Sequence, residues 1–171
     1  MHGEIVVLRL VHIAMGVFWA GAVFFFVLFV EPSVRAAGPD GFKVMLGLKQ
    51  RRWLDVLPTT GALTILAGFR LYWIQSSGFT ASWVNSGPGM AYAAGGVVSL
   101  IALLIGIFVV RRVAMQIFAL AATLPQQPEG PARDGVMAEM GALRQRNLTA
   151  ARIVGALLAV TVITMAIGRY L

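Results

Sequence analysis

His12 lies inside an apolar run that spans residues 5–30 and is broken only by Arg9 and by His12 itself. It is one of two histidines in the chain. Arg9, His12, Gly16, Trp19 and Val23 recur at i, i+3, i+7, i+10 and i+14, the rhythm of one helix stripe. If the run crosses a membrane, His12 is roughly 10 Å deep at about 1.5 Å per residue. Arg70 lies similarly near the end of a second apolar run, and Arg169 closes the last one. Ionisable groups at membrane depth are costly, which makes them functional candidates. Imidazole and thioether suit copper, and His2, His12, Met1, Met15, Met90 and Met165 could gather at the same end. Three arginines nearby would repel a bare cation. An anion-bearing ligand suits the charge better. Haem b meets both demands, with an iron that takes an axial histidine and propionates that take arginines.

The candidate set is therefore His12 as the metal ligand, Arg9 and Arg70 as propionate partners, and Gly16 and Trp19 as the surface for a flat macrocycle. Phe18, Phe24, Phe25 and Phe26 add aromatic surface but suit lipid contact or packing equally. A bis-histidine dihaem cytochrome is excluded, because two histidines cannot supply four ligands. The plainer alternatives stay open. Arg9, Arg70 and Arg169 are close enough to the boundary to snorkel to headgroups. His12 could be a neutral imidazole bonded to a backbone carbonyl or to a Ser or Thr.

The elements that must position these residues are membrane helices. The chain is 58% hydrophobic and 12% charged, where a soluble domain averages about 25% charged. Four apolar spans are predicted, at roughly 5–30, 54–74, 90–110 and 153–167. Each is long enough as a helix to cross a hydrocarbon core of about 30 Å. Helices are required because each backbone group must be satisfied within its own segment. The first run exceeds the about 7–15 residues of a signal-peptide core, so it reads as a span and not a leader. With no cysteine, disulfides and thiolate metal sites are excluded. The expected fold is all-α: a polytopic four-transmembrane-helix bundle forming a single membrane domain over residues 1–171.

The net charge of +7 is not spread evenly. Arg35, Lys43, Lys49, Arg51 and Arg52 lie between spans one and two; Arg111, Arg112, Arg133, Arg144 and Arg146 lie between spans three and four. The stretch QSSGFTASWVNSGPG between spans two and three carries no charge. This is the positive-inside pattern, not a nucleic-acid footprint. It places loops 31–53 and 111–149 in the cytoplasm and both termini outside, as expected of a multi-pass protein of a bacterial inner membrane.

Within the first cytoplasmic loop, Phe42, Met45, Leu46 and Trp53 at helical spacing predict a short amphipathic helix on the inner leaflet. Residues 111–124 should prolong the third helix, QQPEGPARDG should break it, and residues 136–147 should resume as a helix leading into the fourth span. Asp55, one turn from Arg51, is expected to pair with it. Gly61, Thr64 and Gly68 share a face of the second helix, and Gly95, Gly96, Ser99 and Gly106 dot the third, the pattern of close helix packing.

The stretch HIAMGVFWAG, with Trp19 seven residues after His12, resembles the first helix of CopD-like copper-resistance membrane domains and of HemJ-type protoporphyrinogen oxidases. QRRW and the following LPTTGALTILAGFRLYW are similar to the basic start and second helix of the HemJ type. The resemblance covers roughly residues 8 to 76 and implies that His12 is the counterpart of a haem-ligand histidine. The lysine of the HemJ third helix has no counterpart in residues 90–110, and the outward histidines and methionines of a copper importer are sparse.

Three functions follow. The first is a haem-binding or haem-linked redox protein using His12. The second is a non-catalytic accessory subunit of a larger membrane complex, or a homo-oligomer, whose spans are packing surface. The third is copper handling. No catalytic residue can be named from the sequence.

Overall fold

A computed structural model describes residues 2–171; Met1, one of the copper candidates, lies outside them. The described residues are helical apart from short connections, with no strand among them. Four helices are long and apolar enough to cross a membrane: α1 (His2–Ala36), α3 (Trp53–Gln75), α5 (Gly87–Gln126) and α6 (Pro131–Tyr170). Two shorter ones, α2 (Pro39–Gln50) and α4 (Ala81–Val84), lie in the connections.

The local signals explain the boundaries. The Ser86 hydroxyl accepts from the Gly89 amide at 3.2 Å and caps α5. Arg52, in the left-handed region at φ 57°, turns the chain from α2 into α3. Gly130, at φ 146°, precedes Pro131 at the start of α6.

Two expectations change, though the basic segments are mostly helical as expected, α5 and α6 continuing well past the apolar spans. At 40 residues each they are about 60 Å long, twice the roughly 30 Å hydrocarbon core. The last helix starts at Pro131, before residue 136, and runs to Ile167 without a break. The amphipathic α2 ends at Gln50, so Trp53 belongs to α3.

α2 is also docked on protein. Phe42 and Met45 pack against Leu54, Ala114 and Phe118, since the extended helices offer apolar surface beyond the bilayer. Lys49 lies 4.8 Å from the centre of the Phe118 ring and Arg144 5.4 Å from that of Phe42.

α1 pairs mainly with α3, and α5 with α6; lesser contacts of α3 with α5 and of α1 with α6 close the ring. Trp19, Val23, Ala102, Leu103, Val154 and Leu158 form the central core. Both chain ends and the uncharged connection meet at one end of the bundle. Glu4 reaches Arg70 there, and Gly87 lies against the Leu171 carbonyl. The basic segments occupy the other end.

Two stretches depart from α-geometry. Residues Phe26–Val30 of α1 and Gly106–Arg111 of α5 are wound as π-helix. Both sit where the spans meet the basic end.

Candidate functional site

The His12 stripe faces α3 and interlocks with its small residues in an antiparallel register. Gly61 receives Trp19, Thr64 meets Gly16, and Gly68 receives His12. A Cβ at Gly68 would lie 2.7 Å from His12 Cε1 and 2.8 Å from Nδ1. A Cβ at Gly61 would lie 2.9 Å from Trp19 Cε2 and 3.0 Å from Leu103 Cδ1. A Cβ at Gly16 would lie 3.2 Å from Thr64 Cγ2. The small residues of α3 are thus sockets for the large residues of α1.

His12 Nδ1 stands 2.8 Å from the Thr64 backbone oxygen. A carbonyl only accepts, so Nδ1 carries the proton. In the neutral ring Nε2 then carries the lone pair. Thr64 does not compete for the imidazole, since its own hydroxyl donates back to the Thr60 carbonyl at 2.8 Å. The His12 side chain is half-buried, and α1 has no buried side chain before Trp19.

The arginines divide. Arg70 is engaged by Glu4, with Nε at 2.9 Å and Nη2 at 2.7 Å from one carboxylate oxygen. Arg9 is exposed and makes no ion pair with a described residue. Arg169 stacks over its neighbour Tyr170 at 4.7 Å.

A haem meets these residues at some points and not at others. His12 fits as an axial ligand, with one nitrogen anchored on a carbonyl and the other bearing a lone pair. Arg9 is free to take a propionate. Gly16 and Trp19 are already filled by α3, so no macrocycle enters the seam between α1 and α3, and Arg70 serves a propionate only by leaving Glu4. A copper site would need the thioethers gathered around His12. Met165 instead packs against Gly95, in the α5–α6 pair.

The basic end holds features that no spacing in the sequence signals. Asp55 is held across the bundle by Arg111, whose Nη2 and Nε lie 2.8 and 3.3 Å from Oδ1. Arg52 Nε approaches Oδ2 at 3.5 Å. Arg51, the expected partner, makes no ion pair with Asp55, as the left-handed turn at Arg52 interrupts the helical register between them. Two adjoining cavities, of about 80 and 340 Å³, lie between the π-segments and α2. Neither is lined by His12, Arg9 or Arg70.

Four long apolar helices make this a multi-pass membrane protein. No protein family, curated protein or solved structure matches the chain.

Proposed function

We propose that this protein is a small inner-membrane subunit that presents His12 Nε2 as an axial ligand to haem b. On this reading the haem lies outside the closed α1–α3 seam, and a second copy or another membrane subunit completes its envelope. The observation that carries the reading is the 2.8 Å bond from Nδ1 to the Thr64 carbonyl. It fixes the tautomer and orients the ring, as a ligating histidine requires. The half-buried ring and the uncovered outer half of α1 support a ligand shared with a neighbour. The spacing of His12 and Trp19, which resembles that of HemJ-type and CopD-like chains, supports it too. Bound there, haem b would supply one-electron redox chemistry. Arg9 is the residue placed to hold a propionate.

The second reading, an accessory subunit without haem, is favoured by a separate observation. Gly16, Trp19 and Arg70 already have partners within the chain. On that reading the His12 bond only locks α1 to α3.

The visible spectrum of the purified protein separates the two. The haem reading expects a Soret band that disappears in His12→Ala while the helical content stays. It also expects Arg9→Gln to loosen haem retention and Arg9→Lys to restore it poorly, because an ammonium lacks the bidentate fork. A colourless wild-type protein, purified with its partners and still colourless after added haem, leaves the accessory reading.

A further inference from the structure

The two cavities at the basic end adjoin, sharing Phe26, Phe118 and Asn147 among their walls. The smaller reaches the central core at Trp19, Leu103 and Val154, and the larger opens beside Arg35 and Arg144. At about 340 Å³ the larger falls within the size of small-molecule sites, roughly 300–1,000 Å³. The combined shape is amphipathic, with an apolar floor inside the bundle and a charged mouth at the membrane boundary.

The walls carry unspent hydrogen-bonding capacity. Four buried side-chain atoms among the described residues have no hydrogen-bond partner, and three belong to residues lining these cavities: Glu31 Oε2, Asn147 Oδ1 and Trp53 Nε1. Leaving such a group unpaired costs about 1–3 kcal/mol. The nearest cation to Glu31 is Arg35, whose Nη2 is 3.8 Å away, too far for a hydrogen bond. The two π-segments border the same space, through Phe26 on α1 and Gly106 and Arg111 on α5. π-Windings of this kind recur at functional sites.

The bare groups define the ligand. A buried carboxylate oxygen and a bare amide oxygen call for a cationic hydrogen-bond donor. Arg35 and Arg144, on the opposite charge account, call for an anion. At the depth where spans end, the abundant molecule with an N–H-bearing cation beside an anion is an aminophospholipid.

We propose that the larger cavity holds the headgroup of a phosphatidylethanolamine-type lipid, its ammonium on Glu31 and Asn147 and its phosphate between Arg35 and Arg144. The lipid's glycerol and upper chains would lie over the apolar walls toward the bilayer. This site is independent of His12 and of the haem reading.

The test is native mass spectrometry of the detergent-purified protein with equal amounts of palmitoyl-oleoyl phosphatidylethanolamine, phosphatidylcholine and phosphatidylglycerol. Phosphatidylcholine keeps the cation but has no N–H, and phosphatidylglycerol has no cation. The proposal expects the phosphatidylethanolamine adduct to be retained at least about tenfold over phosphatidylcholine, the worth of one charge-assisted hydrogen bond. Glu31→Gln should remove that preference. If Glu31→Gln fails to fold, Asn147→Leu carries the same expectation, with circular dichroism as the check on folding. Equal retention of the three lipids, a preference for phosphatidylglycerol, or a phosphatidylethanolamine preference unchanged in the folded variant overturns the proposal.

Discussion

The two ends of this bundle treat polar groups in opposite ways. At the uncharged end, α1 and α3 close on each other through a seam of small residues. His12 bonds Thr64, Arg70 bonds Glu4, and each glycine of the seam receives a side chain. At the basic end the helices are unwound into π-segments, the packing opens into two cavities, and buried acceptors go unpaired. Within the spans, Arg70 and His12 Nδ1 are engaged inside the chain, which leaves Arg9 and His12 Nε2. Further binding capacity lies at the basic end, where the charge looked like ordinary membrane anchoring.

The sharpest way to break this comparison is to show that the ends are assigned to the wrong sides. Reporter fusions at Gln127 and at Ser82 should report opposite compartments, with Gln127 cytoplasmic, because ten basic residues lie in the two segments at one end and none in the uncharged stretch at the other. This is an all-or-none result. A cytoplasmic Ser82 would invert it.

Next in size is the difference between glycines. Gly61→Val should cost about 1–3 kcal/mol by overpacking, since its Cβ would press on Trp19 and Leu103 within 3.0 Å. Gly96→Ala should change little, about 0.5 kcal/mol or less, because nothing lies within 4 Å of its Cβ position. Thermal melts in detergent check both. Equal melting points for the two variants would mean that the seam is not closed.

These glycines also show what the sequence could and could not disclose. Gly61, Thr64 and Gly68 share a face, and that alone predicted close packing. Gly95 follows the same rule, against Thr164 and Met165, but Gly96 and Gly106 face open space. Spacing places a small residue on a face and cannot say which faces meet. The spans were legible because apolar length is a local property. The helical extensions over 111–124 and 136–147 were legible too, but not that Val113, Ile117 and Met140 bury one another there. The partner of Asp55 was hidden for a similar reason. Arg51 is close in sequence, but Arg111 arrives from another helix. The cavity was invisible, because Glu31, Asn147 and Trp53 are far apart in the chain and meet only through the fold.

His12→Ala should lower stability by about 1 kcal/mol, the worth of an ordinary hydrogen bond, as Thr64 keeps its place in the helix. A loss several times larger would make His12 chiefly a structural lock. The smallest effect is expected from Glu4→Gln. Its pair with Arg70 is 49% exposed on the arginine side and 40% on the glutamate side, so melting should report at most about 1 kcal/mol. A larger loss would show that Arg70 is buried in the membrane and depends on Glu4 for its charge balance.

The claim that His12 offers its Nε2 to a ligand is tested most directly by nitrogen NMR of protein labelled with ¹⁵N-histidine. The chain has only two histidines, and His2→Ala leaves His12 alone. Haem-free protein should show one protonated nitrogen, Nδ1, and one bare nitrogen, Nε2, with the bare signal shifted or broadened away when ferric haem is added. A proton on Nε2, or a bare Nε2 signal untouched by haem, would contradict it.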